Sequence, residues 1–509
     1  MYNIPNNHII GSIFQHTVTK GSVVMNFNEM SLLTDLYELT MMQGYHSTGI
    51  TEKTVVFDLF YRKNPSGNGF AICAGLEQAI DYIKNLRFSK EDIEYLKNLN
   101  IFNDEFIKYL ENFRFSGDIY AIPEGTVVFP HEPLMRITAP IMEAQLIETA
   151  LLNIINHQSL IATKAARVVW AAEGDPVLEF GLRRAQGPDA GTYGARAAVI
   201  GGCVGTSNVL TGRLFDVPVK GTHAHSWVMS FPDELTAFRK YAELFPNACT
   251  LLVDTYNTLE SGVPNAIKVF QELRDKGIEL KNYGIRLDSG DLAYLSKKAR
   301  IMLDEAGFND AVISASSDLD ENLIASLKLQ NAQIHLWGVG TKLITSDDCP
   351  AFGGVYKLAA ETDENGNFIP KIKLSNNPEK VTNPGIKKIF RLYDKKTDKI
   401  KADLITLDDE TIDTEKPLKL FDSSAKWKKM NLKPGEYYVR ELLVPIFIKG
   451  ECVYESPKTM DIKKYCDNEL NTLWDEHRRL KNPHIVPVDL SEKLYNLKHE
   501  LIDEMSKTE

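Results

Sequence analysis

283-YGIRLDSGDLAYLSKKARIMLDEAGFNDAVISA-315 spells out a strand, a helix and a second strand in thirty-three residues. Tyr283–Leu287 is short and apolar and reads as a strand. The polar turn 288-DSGD-291 follows, and then a helical pattern that ends near Gly307. Val312–Ala315 is apolar again. Strands that alternate with helices predict βαβ units and a parallel sheet.

The same rhythm extends both ways, from about residue 175 to 360. Downstream, the next helix starts at Asp318 with Glu321 three residues on, a capping-box spacing, and Ile334–Trp337 reads as a strand. Upstream, Leu251–Asp254 is a strand. The helix after it opens at Pro264, carries Ile267, Phe270 and Leu273, and stops before Gly277, the Pro-start and Gly-stop asymmetry. Val217–Lys220 reads as a strand before a helix at Glu234–Phe245, and Val177–Phe180 as another strand. Polar and Gly-rich segments lie just after the strands, the edge where parallel α/β sheets and (β/α) barrels bind ligands. Periodicity does not count strands, so a closed barrel and an open sheet both fit.

The flanks differ. Residues 26–150 read as α+β: a helix at Met30–Gln43 ended by Gly44, a strand at Thr54–Phe60, a helix at Gly75–Leu86, and strand residues over Ile119–Phe129 broken by Pro123-Glu124-Gly125. Ala144–Ala172 is long, apolar and helical. After about 384, Ile389–Tyr393 and Ile400–Ile405 predict a hairpin, Tyr437–Phe447 is strand-like, and Met460–Lys507 is helical around Pro483 and Pro487. The expected division is a loose extension over 1–24, an N-terminal α+β domain over 25–160, a barrel-like catalytic domain over 161–383 and a C-terminal region over 384–509.

The chain has 509 residues and a formal net charge of -11. An acidic chain with no Lys/Arg block repels phosphate backbones, so nucleic acid is not an expected partner. The longest apolar runs fall far short of the ~20 residues a membrane helix needs, and residues 1–24 lack the pattern of a secretory signal. Six scattered cysteines without a CxxC spacing speak against zinc or redox motifs and fit a reducing cytosol.

The chemistry sits at the strand exits. In 221-GTHAHSW-227, His223 and His225 flank one residue, and imidazole there serves as base, nucleophile or metal ligand. In 284-GIRLDSGDL-292, Arg286 and Asp288 point to one side. They form either a buried salt bridge or an anion holder beside a carboxylate for ribose or magnesium. Asp254 ends an apolar strand in 251-LLVDTYNT-258 and reads equally as a helix cap. Phe180 with Arg183 and Arg184 is a core ring beside a solvated pair, or a pocket for a planar acid or phosphates. Gly338, Gly340 and Thr341 make either a tight turn or a close backbone approach to phosphate. Their shared place after the strands of one α/β region is the stronger signal.

Together with 34-TDLYELTM-41 and 205-GTSN-208, these segments resemble the nicotinate phosphoribosyltransferase family in family order over most of the chain. The resemblance implies an irregular (β/α) barrel of the type II phosphoribosyltransferase kind with an added N-terminal domain. It also implies a homodimer with active sites at the subunit interface, and the thiols fit a cytoplasmic location. The implied reaction joins nicotinate to phosphoribosyl pyrophosphate, giving nicotinate mononucleotide and pyrophosphate, with magnesium present and ATP hydrolysis coupled. His225 matches the phosphorylated histidine. Tyr37 (from the neighbouring subunit), Thr222 and Arg286 match nicotinate contacts, and Phe180 matches a ring that stacks on the pyridine. Thr341 matches a phosphoribosyl contact, with Arg183, Gly338 and Gly340 expected beside it. Asp254 and Asp288 are expected to hold magnesium or ribose. Ser207 stands where the related nicotinamide enzymes have an aspartate, which would repel a carboxylate. His223 falls at a variable position and receives no role. Two rivals are weaker: a metal hydrolase with its His-x-His at His223 and His225, which needs two further strand-end histidines where only His335 is present, and a Schiff-base enzyme using Lys220.

Overall fold

The computed structural model describes residues 30–423, 425 and 427–506. The expected extension over 1–24 lies outside them. At the centre is a six-stranded parallel sheet whose spatial order is Gly205–Thr206, Val177–Glu179, Leu336–Val339, Val312–Ala315, Tyr283–Leu287 and Cys249–Leu252. All its pairings are parallel. Beyond Gly205–Thr206, Val219 adds a parallel bridge to Thr206. The sheet is curled and of the irregular (β/α) barrel kind, with its ladder left open at Cys249–Leu252 among the described residues.

Most helices between these strands lie where their periodicity placed them: Glu234–Leu244, Val263–Asp275, Leu292–Glu305 and Glu321–Leu329. Their inner faces and the strands share one apolar cluster that includes Phe238, Phe270, Phe308 and the fully buried Trp337. Trp337 keeps its indole N–H paired with Asp175 at 3.0 Å, as a buried polar handle requires.

Three starts differ from expectation, and capping explains two. Helix Leu36–Thr48 begins after Asp35, whose N–H donates to Glu38 Oε2 at 3.1 Å. Leu32 and Leu33 continue the apolar spacing into the preceding turn but do not extend the helix. Gly44 is interior; the terminating glycine is Gly49, at φ 78°, a left-handed C-cap. The helix expected from Asp318 starts at Glu321, because Asp320 accepts from the Leu323 N–H at 2.7 Å. The strand expected at Val217–Lys220 shrinks to the Val219 bridge, whereas the two-residue strand Gly205–Thr206 was not anticipated.

A seven-stranded antiparallel sheet stands beside the barrel, in the order Phe368–Pro370, Gly354–Thr362, Thr54–Tyr61, Met135–Pro140, Asp118–Ala121, Val444–Ile448 and Glu451–Cys452. It draws strands from both sides of the expected boundaries at 160 and 383. The helix Glu148–Ala171 runs from this domain into the barrel. The C-terminal sheet contains the anticipated hairpin, Lys387–Asp394 with Ile400–Leu407. Among the described residues no helix is long and apolar enough to cross a membrane.

Candidate active site

Each position around the barrel sends a residue past its carboxyl end: Phe180, Ser207, Thr222, Asp254, Asp288, Ser316 and Gly340. Strand direction alone brings these sequence-distant residues to one rim. They surround a cleft of about 360 Å³ lined by Phe180, Arg183, Ser207, Thr222, His225, Arg286 and Asp288, among others. That volume suits a small ligand.

Arg286 organises the rim. Its Nη1 donates to Thr222 Oγ1 at 2.9 Å, its Nε to Ser316 Oγ at 2.8 Å, and its Nη2 to Asp288 Oδ1 at 2.7 Å. The salt-bridge reading of Arg286 and Asp288 is therefore correct, and the pair also faces the cleft. Ser316 donates to the same Asp288 oxygen. Burial acts to raise the Asp288 pKa, but the Ser316 hydroxyl and the Arg286 charge outweigh it and hold the carboxyl below its ordinary range.

His225 opens the short helix His225–Met229. Its Nδ1 lies 3.0 Å from Thr255 Oγ1, and its Nε2 stands 3.6 Å from Asp288 Oδ2, too long for a short hydrogen bond. The ring is half-exposed to the cleft. Asp254 does not cap a helix: its Oδ2 accepts from the Asp288 N–H at 2.8 Å and the Ser289 hydroxyl at 2.6 Å. Its Oδ1 is buried with no hydrogen-bond partner.

Behind the rim, buried Glu179 accepts from Thr206 Oγ1 at 2.6 Å and from the Gly181 N–H. Burial raises its pKa. Glu179 thereby fixes the turn that carries Phe180. Gly338 serves that ring as well: a Cβ there would sit 2.7 Å from Phe180 Cδ2. Gly340 precedes the short helix Thr341–Ile344 beside Phe180, at the rim but outside the lining of the cleft.

Tyr37 lies elsewhere, 45% exposed on helix Leu36–Thr48. Burial and the nearby Glu148 push its pKa to about 12. His223 and His225 do not act as a pair. Both residues border the cleft, but the His223 ring is buried and accepts the Leu252 N–H, whereas the half-exposed His225 ring stands beside Asp288. Lys220 is exposed, and its N–H donates to Thr206 O. Thr255 and Ser316 were missed in the sequence. Their one available signal was a hydroxyl just after an apolar strand.

Three family models match: the nicotinate phosphoribosyltransferase N-terminal domain over residues 32–156, the nicotinate phosphoribosyltransferase family over 176–347, and its C-terminal domain over 386–498. Nicotinate phosphoribosyltransferase of Bacillus subtilis is 49% identical over 478 residues, covering 94% of this chain and 96% of that one. The human nicotinate phosphoribosyltransferase is 32% identical, covering 92% and 96%. The crystal structure of human nicotinic acid phosphoribosyltransferase superposes with a TM-score of 0.81 at 30% identity, over 92% of this chain and 99% of that one.

Proposed function

The chain belongs to the nicotinate phosphoribosyltransferase family, and on that premise we propose a mechanism that runs through a phosphohistidine at His225 and is coupled to ATP hydrolysis. Nicotinate and phosphoribosyl pyrophosphate are the substrates of this family. The observation that carries the reading is the convergence of Arg286, Thr222, Asp288 and His225 on one cleft.

Arg286 and Thr222 receive the carboxylate of nicotinate, and Phe180 lies against the pyridine ring. Ser207 leaves the site without the negative charge that would repel that carboxylate. Arg183 and the amides at Gly340 and Thr341 take the phosphates of the donor. A ring nitrogen of His225 takes the γ-phosphoryl group of ATP, releasing ADP. The phosphorylated ring then orders the pyrophosphate of the donor, and hydrolysis of the phosphohistidine resets the enzyme. As the C1–pyrophosphate bond loosens, the pyridine nitrogen attacks C1 with its own lone pair, and pyrophosphate leaves with the bonding electrons. No strong base is needed, so catalysis is positioning and charge stabilisation.

The unpartnered Asp254 Oδ1 beside Asp288 fits a divalent cation. Magnesium is held by one or two carboxylates together with substrate phosphates. It would supply charge neutralisation on the leaving pyrophosphate.

Tyr37 is outside the cleft lining of its own chain, which supports its use in a second copy's site and hence a homodimer. A cytoplasmic location is supported by six free thiols.

The test measures nicotinate mononucleotide from nicotinate, phosphoribosyl pyrophosphate and magnesium, with and without ATP. Wild type is expected to prefer nicotinate over nicotinamide and to be stimulated by ATP. His225→Ala should lose the ATP stimulation and keep a slow ATP-independent rate. Full coupling in that variant would overturn the assignment.

A further inference from the structure

The barrel has a seam. Cys249–Leu252 pairs with Tyr283–Leu287 on one side, with Leu252 opposite Arg286, and forms the end of the sheet on the other. An amide on an edge strand still needs a partner once it is buried. The Leu252 N–H finds it in a side chain, donating to His223 Nε2 at 3.2 Å.

His223 belongs to the segment that runs along the seam from the opposite edge. There Lys220 N–H donates to Thr206 O at 3.0 Å, and Val219 bridges Thr206. The imidazole therefore spans the gap that a strand would otherwise fill. It is 8% exposed and packs edge-on against Tyr241, with centroids 4.6 Å apart, and near Phe238 at 6.2 Å. Accepting from Leu252 requires a bare Nε2, so the proton sits on Nδ1, 3.4 Å from Ala224 O. Burial pushes the ring's pKa down to about 4, in keeping with that neutral form.

The chain neighbours of His223 reach the polar groups of the rim. Thr222 accepts from Arg286, and His225 stands beside Asp288. Leu252, Arg286, Thr222 and His223 thus form a closed circuit around the seam.

We propose that His223 is a positioning residue for nicotinate binding, closing the barrel seam at Leu252 and so holding Thr222 and His225 at the mouth of the cleft. The proposal rests on the functional reading above.

Two variants test it. His223→Phe keeps a flat ring against Tyr241 and removes the acceptor. His223→Gln restores an acceptor at the reach of Nε2. Steady-state rates are measured with nicotinate varied at saturating phosphoribosyl pyrophosphate, magnesium and ATP. Loss of the acceptor should raise KM for nicotinate about tenfold, the size of one lost hydrogen bond, and reduce the ATP stimulation. His223→Gln should stay within about threefold of wild type. A residue that only stabilised the fold would lower the melting temperature and the active fraction but leave KM unchanged. Wild-type KM in His223→Phe, or equal impairment in His223→Gln, overturns the proposal. Should His223→Phe not fold, His223→Met is read in its place by the same criteria. Wild type is assayed first. If it fails to use nicotinate, the functional reading falls and takes this proposal with it; an active wild type isolates the proposal.

Discussion

Arg286 donates to side chains from three separate segments, Thr222, Asp288 and Ser316, so its guanidinium is fixed before any ligand arrives. The geometry depends on the planar fork of arginine, which lysine does not reproduce. Arg286→Lys keeps the charge but cannot satisfy all three partners. Hydrogen bonds to charged groups contribute about 1.5–3 kcal/mol, so KM for nicotinate should rise by roughly 10- to 100-fold, with a smaller change in kcat. Initial-rate kinetics check this; an unchanged KM would mean that Arg286 does not bind the substrate. Much of this rim was legible, because Arg286, Asp288 and Asp254 stand beside recognisable strands and His225 lies in a motif of its own. The contacts between strands were not. That Ser316 shares Asp288 with Arg286, or that Thr255 sits on His225, follows only from which strands become neighbours. His223 received no role because it falls at a variable position of the family motif; its partner, Leu252, is an ordinary apolar strand residue, and the need for an acceptor there shows only when the seam does.

At the scale of elements, the strand Leu336–Val339 shows how a backbone choice shapes a site. Gly338 is buried at φ < 0, so its value lies in the missing Cβ and not in a left-handed turn. A methyl there would come within 2.7 and 2.8 Å of two carbons of the Phe180 ring. The ring is the movable partner, because Phe180 leads out of its strand toward the cleft. Gly338→Ala should therefore displace the ring, raise KM for nicotinate and cost about 1–3 kcal/mol of stability as an overpacked contact. Thermal unfolding and kinetics read both effects, and a variant with wild-type KM would place Phe180 outside the substrate's reach. In the sequence, 338-GVGT-341 reads as either a tight turn or a close approach to phosphate; the rotamer space of a residue more than 150 positions away is invisible there. Long elements were easier. Leu292–Glu305 and Val263–Asp275 carry repeated apolar spacing and clear ends. Gly205–Thr206 is two residues long and has no periodicity to read.

The whole molecule is tied together by strands that cross sequence order. Asp118–Ala121 pairs on one side with Met135–Pro140 and on the other with Val444–Ile448. Buried Leu442, Leu443, Ile446 and Phe447 belong to the same apolar cluster as the N-terminal helices and strands. Farther into the C-terminal region, Arg391 is fully buried between Asp403 and Glu469, and Glu469 also holds Arg440. Removing one member of such a network leaves an uncompensated charge. The expected boundaries at 160 and 383 rest on changes of local pattern, and local pattern says nothing about which distant strand completes a sheet. Cooperative unfolding should follow the sheet. A chain ended after residue 383 would lose Val444–Ile448, bare the edge of Asp118–Ala121 and open the apolar cluster beneath it. Exposed edges and apolar faces of that kind lead to aggregation. We expect the 1–383 chain to be insoluble or to lack a cooperative thermal transition, although it retains every residue of the barrel rim. Calorimetry of the intact chain should show the barrel and the seven-stranded sheet melting together. A soluble, active 1–383 chain with a sharp transition would show that the shared sheet is dispensable and that the barrel and its N-terminal partner fold without the C-terminal strands.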